Sequence, residues 1–149
     1  MRQLIQRVKE ASVSIDGKEV ARIGKGFLVL LGVTHDDTEE DLEYLAQKLT
    51  KIRLFDDAEG VMNLDVQQVG GDVLVVSQFT LLASTRKGNR PSYIAAAPEA
   101  VSRPMYERFV QRVEALTGRK VATGEFGADM QVSLTNDGPV TVWMDSKQR

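Results

Sequence analysis

Residues 2 to 15 read as a strand, and from Ala11 to Ile15 apolar and polar residues alternate strictly. Asp16-Gly17 follows as a hairpin turn, and alternation resumes on a return strand to about Ile23. Beyond Gly26 the run Phe27–Val33 is apolar without alternation, the pattern of a strand covered on both faces. The period then changes. Leu42, Leu45, Ala46, Leu49 and Ile52 recur at helical spacing. Asp37 or Thr38 can cap that helix, and Glu40 and Asp41 sit where a capping box and the helix dipole favour acidic groups. A strand from Asp72 to about Ser84 would put Val73, Val75, Ser77, Phe79 and Leu81 on one face and Leu74, Val76, Gln78, Thr80 and Leu82 on the other. A second helix is predicted from about Pro98 to Leu116. Its apolar stripe is Val101, Met105, Phe109, Val113 and Leu116, its stop is Gly118, and Pro104 is expected to separate or bend its first turn.

The stretch "MQVSLTNDGPVTVWMD", residues 130 to 145, poses a problem. Asp137-Gly138 lies between two alternating runs and predicts a second hairpin. Pro139 follows at once, where the return strand should begin, although proline brings no N–H to a ladder and fixes its own φ. Strands before, between and after two helices give an α+β fold over a single domain, residues 1–149, with the helices packed on a largely antiparallel sheet.

Composition narrows the chemistry. The chain has 149 residues, 42% apolar and 27% charged, with a net charge of −2, which argues against a generally basic nucleic-acid wrapper. Zero cysteines remove thiol catalysis and cysteine metal sites, and suit a reducing cytoplasm. The longest apolar run, Phe27–Val33, is too short to cross a bilayer, and the N-terminal residues lack a signal-type apolar core; a soluble protein with no membrane contact is expected. One histidine, His35, rules out a multi-histidine metal site within the chain, and its polar loop reads as solvated surface. The acidic residues after it read as caps rather than a cation site.

Three features remain as candidate chemistry. Ser77, Gln78 and Thr80 interrupt a strand that otherwise wants full burial, and an unpaired buried group there would cost about 1–3 kcal/mol. They need partners, in the fold or in a ligand. Arg86, Lys87 and Arg90 cluster around Gly88 just beyond, either as a solvated loop or as weak contacts for phosphates. Phe79 and Tyr93 are near enough in sequence to serve as a base platform or as core.

"VSQFTL" at 76 to 81 and "LTNDGPVT" at 134 to 141, taken together, resemble the D-aminoacyl-tRNA deacylase family. The opening "QRVKEASVSIDGKEVARIGKGFLVLLGV", then "KIRLFDDAEGVMN", "KGNRPSY" and "YERF" are similar to that family in the same order, so the likeness spans essentially the whole chain. The resemblance implies a barrel-like sheet and a homodimer with active sites at the subunit interface. The implied activity is hydrolysis of the ester joining a D-amino acid to the terminal adenosine of tRNA, with L-esters spared. It implies that Ser77, Gln78, Phe79 and Thr80 form one wall of the pocket. It implies that Gly138 and Pro139 form a cis dipeptide that enters the partner subunit's pocket. No cofactor or metal is implied. A proline after Asp-Gly is then explicable, since X–Pro bonds are where cis peptides occur.

Sparing L-esters by about 10³–10⁴ requires roughly 4–5.5 kcal/mol. A pocket tuned to one side chain gains only about 1–3 kcal/mol per methylene and would have to accept many side chains. A rigid backbone wall that clashes with any L side chain meets both demands, and it predicts that glycyl-tRNA is also a substrate. Backbone N–H groups near Phe79 and Thr80 are the expected oxyanion donors. Thr80 as nucleophile lacks a neighbouring base. The rival reading is a non-catalytic RNA- or nucleotide-binding dimer using the basic loop and Phe79, which leaves the polar residues at 77–80 without a purpose. A purely structural oligomerisation module would explain neither those residues nor Gly138-Pro139.

Overall fold

The computed structural model describes residues 1–149. β1 (Arg2–Ile15) is the hub of the sheet. One edge of it pairs antiparallel with β2 (Lys18–Ile23) and β3 (Gly26–Gly32), and the other pairs antiparallel with β8 (Gln131–Asp145) along nearly its whole length. The sheet continues from β3 through β6 (Asp72–Ser77) to β7 (Ala122–Thr123), and both of those pairings are parallel. The sheet is therefore mixed, antiparallel around β1 and parallel beyond β3. Each parallel step is spanned by a long connection carrying a helix, as parallel neighbours require. β2 curls round to face β6 and β7, so the sheet is nearly closed, as a barrel. A small hairpin of β4 (Phe55–Asp56) and β5 (Met62–Leu64) lies outside it.

The unbroken apolar runs explain the layering. Phe27, Val29 and Leu31 of β3 and Val73 and Val75 of β6 point to the face covered by α1 (Glu39–Lys51) and α2 (Glu99–Thr117), where they meet Leu45, Leu49, Phe109 and Val113. Leu28, Leu74 and Val76 point the other way, into the curl of the sheet, where Val8, Ala11, Val13 and Ile23 enclose them. A strand between two cores has no solvent face, hence no alternation. Thr38 caps α1, and the Asp41 carboxylate accepts its backbone N–H at 2.8 Å. α2 runs unbroken through Pro104, its sixth residue, where the helix forgoes one backbone hydrogen bond without dividing, and it stops at Gly118 in the left-handed region. Val101 is exposed, so the buried stripe of α2 begins at Ser102 and Met105. No helix is long and apolar enough to cross a membrane.

The largest departure from the sequence reading lies in residues 131–145. There is no second hairpin: both alternating runs belong to β8 and pair with β1. Gln6 faces Thr141 and Val8 faces Asn136, so two steps along β1 answer five along β8, and residues 137–140 are thrown out of the ladder opposite Arg7. An Asp-Gly pair specifies a reversal only when the two runs have no better partner. Here β1 offers one edge long enough for both, and Pro139 stands where no ladder donor is called for.

The two helices are tied across their exposed edges by Arg112, whose Nε and Nη2 donate to the Glu43 carboxylate at 2.7 and 2.8 Å. The Arg112 guanidinium, helped by Gln47, holds the Glu43 carboxyl down to about 2 from its ordinary 4.5. A depressed carboxylate contributes stability that is present above its unfolded pKa and is lost as pH falls toward the folded one. Glu43→Gln should therefore flatten the fall in stability between pH 4.5 and 2, read from urea midpoints at several pH values. Parallel wild-type and variant curves would show that the pair contributes nothing.

Candidate active site

β6 does not continue to Ser84. It ends at Ser77, Gln78 turns out of the sheet, and Phe79–Leu82 form a single 3-10 turn. The predicted two-faced alternation therefore stops at Ser77. Phe79, assigned to an apolar face, is instead 56% exposed. The turn is held close to β3: Gln78 N–H donates to the Leu31 carbonyl at 2.8 Å. Gly32 makes this approach possible, since a Cβ there would lie 3.0 Å from the Gln78 carbonyl oxygen and nearer still to the Leu82 side chain. The Gln78 amide donates to Thr80 Oγ1, so two of the three polar groups that interrupted the apolar run satisfy each other. The first N–H groups of a helical turn have no acceptor inside it, which aims those of Phe79 and Thr80 outward.

Ser77, Gln78 and Phe79 line one wall of a cleft of about 260 Å³. Tyr106 of α2 and the segment Phe126–Met130 line the rest. The Tyr106 hydroxyl donates to the Val75 carbonyl at 2.8 Å, and burial pushes its pKa up to about 12, so it stays protonated at neutral pH. The Tyr106 and Phe126 rings lie 5.7 Å apart. Neither Tyr106 nor 126–130 was singled out from the sequence. Tyr106 reads there as one more residue of an apolar helix, and "FGADM" carries no periodic signal; only the topology brings them opposite Ser77.

The other sequence candidates fall in two places. Tyr93 packs edge-on against Phe79, with ring centroids 5.1 Å apart, so the base of the loop carrying Arg86, Lys87 and Arg90 adjoins the turn. Ser84 and Ser92 close that loop through paired backbone hydrogen bonds of 2.8 and 2.9 Å, and its three cations are exposed. His35 is exposed and its Nε2 donates to the Ile94 carbonyl at 2.8 Å. Asp36 and Asp37 accept hydrogen bonds from Thr34, and Asp37 also takes the N-terminal ammonium, so neither caps α1, whose N-cap is Thr38.

Gly138 and Pro139 are not part of the cleft formed by their own chain. They form the tip of the extrusion from β8, the peptide between them is cis, and Gly138 has φ +136, where L side chains are strained. A Cβ there would also lie 2.8 Å from Val140. The tip is braced from beneath. Buried Arg7 donates from Nε to the Asp137 carbonyl at 3.0 Å and from Nη1 to the Leu54 carbonyl at 2.5 Å. Asn136 accepts the Val140 N–H at 2.9 Å and donates to Thr141 Oγ1 at 3.2 Å, closing the neck.

Fold and cleft define an α+β protein with a nearly closed sheet, a pocket poor in acid–base side chains, and an exposed backbone tip braced from beneath. Residues 4–145 match the family model described as D-Tyr-tRNA(Tyr) deacylase. The chain is 57% identical, over its full length and 99% of the relative's, to a D-aminoacyl-tRNA deacylase of Flavobacterium johnsoniae. It is 56% identical over the same shares to one of Akkermansia muciniphila. Among solved structures, the c-Myc DNA Unwinding Element Binding Protein superposes with a TM-score of 0.91 at 36% identity, over 97% of this chain and 98% of that one. A probable eukaryotic D-amino acid tRNA deacylase shares the fold at a TM-score of 0.82 and 20% identity, over 96% and 97%. The chain belongs to the D-aminoacyl-tRNA deacylase family.

Because Arg7 is itself buried and answers the Leu54 and Asp137 carbonyls beneath the tip, Arg7→Met should cost about 2–4 kcal/mol of stability. It should also speed hydrogen exchange at the Val140 amide. An unfolding free energy and an exchange rate both equal to the parent's would show that the tip does not depend on Arg7.

Proposed function

We propose that this protein hydrolyses the ester joining a D-amino acid, or glycine, to the 3′-terminal adenosine of tRNA, and that it spares L-aminoacyl esters. In this reading it works in the cytoplasm as a homodimer, the Gly138–Pro139 tip of each subunit closing the cleft of the other. The observation that carries the reading is the extruded tip, a piece of backbone thrown clear of the ladder and braced by Arg7 and Asn136. Family membership and relatives named for this activity support it.

The division of labour follows from the cleft. Ser77, Gln78 and Phe79 form the wall against which the ester lies and Thr80 follows them in the turn, the N–H groups of Phe79 and Thr80 serving as donors to the developing oxyanion. Such donors are each worth about 2.7–4 kcal/mol in other hydrolases. Thr80 Oγ1 is engaged by Gln78 rather than by a base, which fits positioning better than nucleophilic attack. Chiral choice falls to the Gly138–Pro139 backbone, which cannot rotate aside as a side chain would. Phe79 lines the cleft and Tyr93 packs against it, a pair that can receive the end of the tRNA, with the exposed cations Arg86, Lys87 and Arg90 of the same loop acting on phosphates.

The purified protein should cleave D-tyrosyl-tRNA rapidly and L-tyrosyl-tRNA negligibly, with rates unchanged by chelator, and should cleave glycyl-tRNA. Cleavage of neither tyrosyl ester while tRNA still binds would replace this reading with a binding protein on the same fold. Thr80→Ala should lose less than about tenfold in kcat, whereas loss of a true nucleophile costs on the order of 10⁶. A fall to background would make Thr80 the nucleophile.

A further inference from the structure

The turn that carries the Phe79 and Thr80 N–H groups is only four residues long, so its shape depends on what holds its two ends. Its entry is pinned where Gln78 N–H meets the Leu31 carbonyl at 2.8 Å. Within it, Leu81 N–H donates to the Gln78 carbonyl at 3.2 Å and Ala83 N–H to the Thr80 carbonyl at 3.1 Å. The pattern breaks at the exit. The Leu81 carbonyl would next accept Ser84 N–H, but that donor is committed to the Ser92 carbonyl at 2.8 Å, where the basic loop closes. A carbonyl at the end of a helical turn must then find its donor elsewhere. It finds Arg2, whose Nη1 donates to it at 2.8 Å from the first residue of β1.

Register and charge put Arg2 there. It pairs in the sheet with Gly32, over which the turn lies so closely that a Cβ on Gly32 would come within 3.3 Å of Leu81 Cβ. Its Nε donates to the Asp145 carboxylate at 2.9 Å, and its guanidinium carbon lies 5.4 Å from the centre of the Trp143 ring. The end of β8 therefore grips the guanidinium while the guanidinium grips the turn. A planar fork serves a carboxylate and a carbonyl together, which a single ammonium does less well.

Leu82, buried beside this bond, fixes where the turn sits, but a buried side chain leaves the neighbouring peptide planes free to swing. Arg2 removes that freedom. It holds Leu81, and Leu81 N–H in turn holds the Gln78 carbonyl, which belongs to the same peptide plane as Phe79 N–H. We infer that Arg2 is a positioning residue for the hydrolysis, holding the exit of the 79–82 turn so that the Phe79 and Thr80 N–H groups stay aimed at the developing oxyanion. The inference rests on the deacylase reading and deepens it.

The test separates ground state from transition state with two inert ligands. One is the amide of D-tyrosine with 3′-amino-3′-deoxyadenosine; the other is the matching phosphonate, in which a tetrahedral anionic phosphorus replaces the ester carbonyl. In Arg2→Met, kcat for D-tyrosyl-tRNA should fall about 10- to 100-fold, the cost of donors misplaced by a fraction of an ångström to one ångström. Affinity for the phosphonate should fall with it, while calorimetry on the intact protein shows affinity for the amide nearly unchanged. Arg2→Lys should lie between the variant and the parent. Asp145→Asn should lose less than Arg2→Met, and nothing further when combined with it, because Asp145 acts through Arg2. An Arg2→Met protein as fast as the parent overturns the inference, as does equal weakening of both ligands, which would mark a general structural role. Should Arg2→Met fail to fold, Arg2→Lys decides, and parent values of kcat and phosphonate affinity in it overturn the inference. A wild type that cleaves D-tyrosyl-tRNA, with variants that leave the two affinities in the parent's ratio, rejects this inference alone. A wild type that neither cleaves the ester nor binds either ligand rejects the deacylase reading as well.

Discussion

The pairing of β8 with β1 is the constraint from which the rest of the molecule follows. β1 is a fourteen-residue strand whose far edge is claimed from end to end by β8, and its near edge is shared by β2 and β3. That leaves residues 137–140 no route into the sheet, and they must leave it. Where they leave is fixed by Arg7, the one residue of β1 facing the gap, whose guanidinium takes up the Asp137 carbonyl while reaching the Leu54 carbonyl outside the sheet. A guanidinium suits this position because its planar fork serves two acceptors at once, which an ammonium on a flexible stem does less well. The tip is stiff because both sides of its neck sit in a ladder, and Asn136 closes the neck itself.

How much of this could be read from residue order depends on how far each signal reaches. β1, β2 and α1 follow from their residue pattern because burial there is local to one element, β3 follows from an apolar run with no solvent face, and Leu42 through Leu49 are buried as their spacing requires. The strand-to-turn switch at Gln78 was missed because the apolar count does not change there. Phe79 and Leu81 look like further strand residues, and only the bond from Gln78 to the Leu31 carbonyl and the close approach over Gly32 show that the chain has turned. The extrusion at 137–140 was misread for the opposite reason. Asp-Gly is a strong local signal, but the partner that overrides it lies more than a hundred residues away in the chain. Pro139 was the residue that did not fit a hairpin, and it marked the error correctly. The basic loop and the resemblance motifs were visible as residues; Tyr106 and Asp129 as neighbours of Ser77 were not, since nothing but topology joins them.

The chemistry open to the cleft is bounded by what its side chains can exchange. Tyr106 is held protonated by burial and spends its hydrogen on Val75, so it is no base at neutral pH. Thr80 is tied to Gln78, and Ser102 donates to the Pro98 carbonyl. None of these groups is poised to take a proton from water, and Asp129, the one charged side chain lining the cleft, is exposed on the Phe126–Met130 segment. A peptide bond would defeat such a site, but an ester with a ribose oxygen as leaving group and a hydroxyl on the adjacent carbon brings part of its own machinery. Correct placement of two reacting groups alone recovers about 7–11 kcal/mol of a barrier, and one or two fixed N–H donors add several more. In the proposed reading, then, selection and rate come from a single property, rigid backbone held where it cannot yield. An acid–base side chain trained on the reacting carbonyl would raise the rate for any ester that entered, L-esters included. A site whose task is to refuse the common substrate is better served by having little chemistry of its own and making geometry the condition for any reaction at all.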